Sequence, residues 1–224
     1  MNASIWVALI SACVSVLALL VTVFGAPALQ RRRDGKTLLS RYRDPLTAAS
    51  NELQRRLHNI LQQGFVETYV RGASPERREA AIETTMYVIA QYFAWNEIIR
   101  REILYLEFAE DDETAEVGKL LYQIASAFAT DDYGQQFMIW RVEQRGIGER
   151  MITTEEGKSG CRGYGSFLDT TGDTDTWLAP LRRDLENLDE SGRRRLRELQ
   201  HLLVDLVERL DPAKKINPRE LTRA

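Results

Sequence analysis

The chain carries one long uncharged stretch near its start, residues 5–24, with the sequence IWVALISACVSVLALLVTVF. A helix built from these residues is apolar on every face, which favours burial in lipid over an amphipathic surface position. At 1.5 Å per residue it spans about 30 Å, the thickness of a bilayer's hydrocarbon core. The stretch therefore predicts a single transmembrane helix that binds membrane lipid through residues 5–24.

Basic residues flank this predicted span on one side only. No Lys or Arg precedes it, whereas four follow within a dozen residues: Arg31, Arg32, Arg33 and Lys36. Such residues are retained on the cytoplasmic side and gain about 1 kcal/mol each near anionic head groups. We predict a single-pass signal-anchor of the inner or plasma membrane, with the N-terminus outside, a cytoplasmic C-terminal domain and these four side chains at the membrane surface.

Two further roles of the apolar run, a cleaved signal peptide and a self-association surface, leave different marks in the sequence. A cleaved signal peptide needs a basic start and a small-x-small cleavage site, but residues 1–4 carry no basic side chain and Pro27 follows the place where cleavage would fall. Small residues at Ser4, Ala8 and Ala12 are spaced as in helix pairs that pack closely in membranes. Self-association through the span therefore stays open.

Composition limits the function of the rest. The chain has 30 basic and 33 acidic residues, for a net charge of −3, whereas nucleic-acid binders show a strong basic excess. Its two cysteines, Cys13 and Cys161, are too far apart in the predicted architecture to form a disulfide framework. With only two histidines, neither a metal site nor a cofactor is predicted, and nucleic acid is not expected as a partner.

The fold class predicted for the remainder is all-α, a cytoplasmic bundle of five or six helices. Helix starts are indicated at Asp44-Pro45 and Ser74-Pro75, because Asp and Ser cap free N–H groups and Pro suits the first helical position. Residues 153–176 are rich in turn formers and predict a long loop. The predicted parts are a membrane anchor at 1–29, a basic linker at 30–43, a helical domain at 44–211 and a frayed polar tail at 212–224.

Aromatic residues on several faces predict that the helix beginning at Ser74-Pro75, and continuing to about residue 108, lies at the centre of the bundle. A further amphipathic helix is predicted around residues 137–151, with Phe137, Trp140 and Val142 among its apolar positions. We expect the carboxylate of Glu97 to be buried and paired with an arginine of residues 141–150.

The most suggestive stretch for binding is residues 140–150, WRVEQRGIGER. Arg141 and Arg145 lie one helical turn apart, as do Arg145 and Glu149. Together with Glu143 they form a candidate ligand-binding set. The competing interpretation is a solvated, ion-paired helix face.

Two glycines interrupt the same stretch. Gly146 and Gly148 each cost a helix about 1 kcal/mol relative to alanine. Their presence suggests that a backbone or a ligand approaches closely there.

Three other patterns fail as catalytic or metal motifs. Gly157-Lys158-Ser159 lacks the glycine at position 152 that a phosphate-binding loop requires. Cys161 lacks a neighbouring histidine to act as base, so it is predicted to be a packed small residue. Glu198 and His201 match one half of a di-metal motif, but the second copy is absent.

Our first hypothesis is therefore a membrane-anchored cytoplasmic helical module for interaction or regulation, with a protein partner or self-association. The alternatives are a ligand-responsive protein that binds a small anion near Arg141 and Arg145, and an enzyme that uses acids such as Glu143 or Glu149. No catalytic residue is assigned, and the enzyme is the less favoured alternative.

Overall fold

The computed structural model describes residues 26–103, 112–155, 157–169, 171–214, 216 and 221–224. The predicted mainly helical fold is confirmed, but the described part holds seven α-helices and a π-helix rather than five or six helices. In chain order the elements are α1 (Ala26–Gln62), a π-helix (Val66–Arg71), α2 (Pro75–Ile103), α3 (Asp112–Ala129), α4 (Arg141–Met151), β1 (Ile152–Glu155), β2 (Lys158–Cys161), α5 (Tyr164–Leu168), α6 (Thr171–Glu186) and α7 (Glu190–Leu210).

The predicted membrane span, residues 5–24, lies outside the described residues. Among the helices that are described, none combines the length and the apolar character needed to cross a bilayer. The predicted surface residues Arg31, Arg32, Arg33 and Lys36 fall within α1, but their side chains also lie outside the described part.

Helix α1 begins 18 residues before the predicted start at Asp44-Pro45, which is therefore wrong. It runs unbroken for 37 residues with Pro45 in its interior, so the backbone of residues 30–43 is helical. An internal proline costs a helix about 3 kcal/mol. Full burial of Leu46 and Leu53, at about 1.5–3 kcal/mol each, offsets that cost.

Helix α2 occupies the centre of the bundle, as predicted. It packs against α1 on one side and α4 on another, and its Tyr92 and Phe93 are buried. The Phe93 ring meets Phe128 of α3 edge-on at 5.0 Å between centroids. The described helix ends at Ile103, so the predicted extension to residue 108 lies outside the described part.

Residues 153–176 do not form the predicted long loop. Strands β1 and β2 pair in antiparallel register, with Thr153 opposite Gly160. The turn between them contains Gly157 at φ +75°, a conformation that glycine adopts without steric cost. The turn formers thus build a β-hairpin, which the short helix α5 and the first turns of α6 follow.

One aromatic side chain on α2 holds this region in place. The Tyr87 ring lies 5.3 Å from that of Tyr164 and 5.5 Å from that of Phe167. Its hydroxyl donates a hydrogen bond of 3.3 Å to the Arg162 carbonyl. The apolar surface buried here comes from a distant helix, which local composition does not reveal.

The segment between α3 and α4 differs from the prediction as well. The helix predicted around residues 137–151 is α4, and it begins only at Arg141. Phe137 adopts φ +54°, and its ring is buried. A loop with a turn at residues 136–137, rather than a further helical turn, therefore carries Phe137 into the core.

The tail predicted to be frayed, residues 212–224, is bound to the bundle at its end. Residues 221–224 form hydrogen bonds with side chains of α7, including Gln200 and His201. The prediction considered only the polar and basic composition of the tail and not what it could contact.

Candidate functional site

Helix α4 lies unusually close to α2, at Gly148. A Cβ atom at this position would lie 2.5 Å from the Phe93 carbonyl oxygen and 2.9 Å from the Glu97 Cβ. The prediction of close backbone approach is thus confirmed at Gly148. At Gly146 a Cβ would meet nothing within 4 Å, so this glycine has no such role.

A buried amide fixes α4 against α3. The Gln144 side chain donates hydrogen bonds of 2.9 Å to the Ala125 carbonyl and 2.7 Å to the Ile139 carbonyl. It lies on the same buried face as Ile147 and Gly148. Sequence analysis did not single it out, although its position three residues before Ile147 was the available signal.

The four candidate binding residues are all on α4 but contact different neighbours. Glu143 accepts a hydrogen bond of 2.8 Å from the Trp140 backbone N–H and so caps the first turn. Glu149 forms an ion pair of 2.7 Å with Arg101 of α2. Arg145 is exposed, and among the described residues it has no hydrogen bond or ion pair.

Arg141 lies against α3. Its guanidinium donates a hydrogen bond of 2.7 Å to the Ser126 hydroxyl and lies 4.3 Å from the centroid of the Tyr122 ring. A cation over an aromatic face gains about 0.5–1 kcal/mol at an exposed site. Arg141 is therefore already engaged, whereas Arg145 is available to solvent.

Three large apolar side chains are exposed at the two chain neighbours of Arg141 and at the ring that its guanidinium contacts. Tyr122 is 64% exposed, Trp140 61% and Val142 76%, and we call these three residues with Arg141 the Tyr122–Val142 patch. Trp140 and Val142 were predicted on the buried face of an amphipathic helix, and that assignment is wrong. Trp140 immediately precedes α4, so its ring does not follow the buried face of the helix.

The buried carboxylate of Glu97 is paired within its own helix. Arg100 contacts it at 2.6 Å and Arg101 at 2.8 Å, so the predicted partner from residues 141–150 is wrong. That stretch contributes the acid Glu149, which reaches Arg101 instead. Burial alone would raise the pKa of Glu97, but hydrogen bonds and charge from the two arginines outweigh it and lower the pKa.

The most completely buried charge of the described residues is on α7. Arg195 is 0% exposed. Its Nε donates to the Gln136 carbonyl at 2.8 Å, its Nη1 to those of Ala127 at 2.6 Å and Phe128 at 3.2 Å, and its Nη2 to that of Gly134 at 2.6 Å. Burial lowers its pKa, although arginine stays charged in proteins.

This arginine holds the irregular segment between α3 and α4 in place. Asp184 of α6 assists by accepting a hydrogen bond of 2.8 Å from the Phe137 backbone N–H. Sequence analysis missed Arg195 because Arg193-Arg194-Arg195 resembles a solvated run of charge. The available signal was its spacing, since Arg195 lies four residues before the buried Leu199.

The motifs discounted from sequence have structural roles here. Lys158 begins β2 and follows the hairpin turn. Burial raises the pKa of Cys161 to about 11, opposite to what a nucleophilic thiolate requires. His201 contacts the Ala224 main-chain oxygen. Among the described side chains, no group of three His, Cys, Asp or Glu residues is arranged to hold a metal ion.

Comparison with known proteins identifies no relative: no protein-family model, curated protein or solved structure matches the chain. The role of the site therefore has to be argued from its own geometry.

Proposed function

We propose that this chain is a membrane-anchored helical module that binds a protein partner beneath the membrane. The observation that carries the proposal is the continuity of α1. This helix begins at Ala26, two residues after the apolar run 5–24 ends, and its later turns are core: Leu46, Leu53 and Ile60 are buried. The described helix thus extends from the bundle to within two residues of the apolar run.

The dimensions of α1 support a fixed position relative to a bilayer. The 16 residues before Tyr42, the first described core residue of α1, span about 24 Å at the rise of an α-helix. A domain tethered in this way needs only weak contacts, because tethering raises the local concentration of its partner.

The partner surface that we propose is the Tyr122–Val142 patch. Aromatic residues and arginine are enriched at protein interfaces, and this patch combines Tyr122, Trp140 and Val142 with Arg141. Large exposed apolar side chains such as Tyr122, Trp140 and Val142 gain more from a protein partner than from solvent.

The alternative, a small anion bound near Arg141 and Arg145, has weaker support. Arg141 already contacts Ser126 and Tyr122, and only Arg145 is available. Inorganic phosphate should therefore raise the melting temperature no more in the intact chain than in the Arg145→Ala variant. A larger rise in the intact chain would favour the anion alternative.

Membrane attachment is tested by alkaline carbonate extraction of vesicles. The full chain should stay in the membrane pellet, and a chain lacking residues 2–25 should not. A protease added to the cytoplasmic face should digest the bundle. Release of the full chain by carbonate, or protection of the bundle from that protease, would refute the anchored cytoplasmic arrangement.

Partner binding is tested by a photo-crosslinking amino acid placed at Trp140, with the same amino acid at the exposed Glu155 of β1 as control. We expect a specific adduct only from position 140, and we expect Tyr122→Ser with Val142→Ser to abolish it. An adduct of twice the chain's mass identifies self-association. Equal adducts from both positions, or no effect of the double substitution, would refute this surface.

A further inference from the structure

Residues 221–224 lie along α7 and are held chiefly by one buried amide. The Gln200 side chain donates a hydrogen bond of 2.8 Å from Nε2 to the Thr222 carbonyl. Its Oε1 accepts one of 3.1 Å from the Ala224 backbone N–H. Gln200 is 0% exposed, so the tail segment takes part in covering it.

This pairing recognises main-chain atoms only. The Gln200 amide bonds the C=O of Thr222 and the N–H of Ala224, two residues further along. A neighbouring β-strand offers the same pattern of donor and acceptor. His201 adds a contact of 2.7 Å from Nε2 to the Ala224 main-chain oxygen. These contacts accept an extended peptide whatever its side chains.

A single ion pair adds selectivity. The Arg223 guanidinium contacts the Asp205 carboxylate of α7. Both side chains are partly exposed, so the pair contributes modestly, about 0.2–1 kcal/mol. The site therefore favours an extended peptide with a basic residue between the two main-chain contacts.

The amide is oriented by the bundle as well as by the tail. Gln200 also donates a hydrogen bond of 3.2 Å to the Oε1 of Gln54 on α1. Gln54, itself buried, donates one of 2.9 Å to the Asn51 side chain. Because α1 also orients the Gln200 amide, the site keeps its geometry when the tail leaves. This reduces the conformational cost of binding another peptide.

We propose that this surface of α7, formed by Gln200, His201 and Asp205, is a peptide-binding site that the chain's own tail occupies. The external ligand is an extended segment of another protein with an arginine or lysine at the place of Arg223. The tail is its intramolecular competitor. The inference goes beyond the proposed function, because it depends neither on the membrane anchor nor on the Tyr122–Val142 patch.

Competition by the tail gives the first test. The probe is a fluorescent peptide with the sequence of residues 218–224, PRELTRA, and the readout is fluorescence anisotropy. The peptide should bind a chain that ends at residue 220. It should bind the full 224-residue chain at least about tenfold more weakly, because a tethered tail acts at an effective millimolar concentration.

A charge exchange at the ion pair gives the second test. In the shortened chain, Asp205→Lys should weaken peptide binding by up to about fivefold, because a partly exposed ion pair contributes modestly. A peptide with Arg223→Glu should recover the lost affinity on that variant. Glu208→Lys, an equal charge change at an exposed position one turn away on α7, is the matched control and should leave affinity unchanged.

These variants alter partly or fully exposed side chains, so the shortened chain should keep its fold, and circular dichroism checks this. Absence of peptide binding to the shortened chain would overturn the proposal. Equal affinity for both chains, or no recovery in the charge exchange, would overturn it equally.

Discussion

Helix α7 holds two irregular parts of the chain with two side chains, Arg195 and Gln200, about one and a half turns apart. Arg195 binds four carbonyl groups between residues 127 and 136, and Gln200 binds two main-chain groups of residues 222 and 224. Both side chains are 0% exposed. We nevertheless expect the segment bound by Arg195 to stay in place and the segment bound by Gln200 to exchange.

The two side chains differ in charge and in whether water can replace their lost hydrogen bonds. The Arg195 guanidinium is itself fully buried, so a lost carbonyl partner leaves a buried donor without a hydrogen bond. The segment held by Gln200 lies at the surface, and its departure lets water reach the amide. The first arrangement is structural, and the second allows exchange.

The largest expected effect tests the structural side of this comparison. Arg195→Met keeps much of the side-chain volume but removes every donor, leaving the carbonyls of residues 127, 134 and 136 without this partner. We expect the free energy of unfolding to fall by about 3–5 kcal/mol in chemical denaturation. Arg195→Lys, which keeps the charge and some donors, should lose less.

The exposed neighbour Arg194 provides the control. Arg194→Met should change the free energy of unfolding by no more than about 0.5 kcal/mol, as is usual at a surface position. If Arg195→Met behaves like Arg194→Met, Arg195 does not hold the segment as described.

The next largest effect is expected at the close approach of Gly148 to α2, which involves no side-chain hydrogen bond. It shows what packing alone contributes, beside the hydrogen bonds of Arg195 and Gln200. Gly148→Ala places a Cβ 2.5 Å from the Phe93 carbonyl oxygen, so α2 and α4 must separate. Overpacking of this kind should lower the free energy of unfolding by about 1–3 kcal/mol. The measurement is denaturant unfolding.

The same helix supplies a matched control for this change. Gly146→Ala meets open space and should be neutral or raise stability by up to about 1 kcal/mol, because alanine favours the helix. Equal destabilisation by both changes would contradict the close approach at Gly148.

Acid unfolding tests the Glu97 ion pairs separately from the contacts that Arg195 and Gln200 make on α7. The pKa of Glu97 is lowered in the folded state, so its ion pairs add stability above its ordinary value near 4.5 and lose it as the pH falls below that value. Neither Arg195 nor Gln200 titrates in this range. Stability should therefore fall more steeply with acid in the intact chain than in Glu97→Gln.

Urea unfolding at a series of pH values between 3 and 7 provides the measurement for Glu97. Glu155→Gln, at an exposed position of β1, is the control and should follow the intact chain. Parallel curves for the intact chain and Glu97→Gln would show that the Glu97 ion pairs do not contribute.

The smallest expected effect is at the tail. Removing residues 221–224 should lower the free energy of unfolding by less than about 1 kcal/mol, because water replaces the lost hydrogen bonds of Gln200. Thermal unfolding of the shortened and full chains measures this. A loss comparable with that of Arg195→Met would place the tail among the structural contacts and remove the contrast between the two side chains.

Sequence alone predicted the helical class, the start of α2 at Ser74-Pro75 and its central position. It also predicted the close approach at one of two glycines. These features are local: capping residues, proline and apolar periodicity act within a turn or two of the chain. The four candidate residues on α4 were placed on one helix, and their ligand role stays a prediction.

At the hairpin and at the loop before α4, where the prediction failed, the deciding partner is distant in sequence. The hairpin after α4 is held by Tyr87, and the loop before it by Arg195, each more than fifty residues away. Glu97 paired with neighbours on its own helix because the spacing of Arg100 and Arg101 suits it, while residues 141–150 supplied an acid.

The sequence by itself determined the helical class, the start and central position of α2 and which residues are apolar. Only the tertiary structure decided that Trp140 is exposed, that Arg195 is enclosed and that the tail is bound. The reason is physical: a side chain's burial and hydrogen-bond partners depend on which elements pack around it, and that packing is a property of the whole chain.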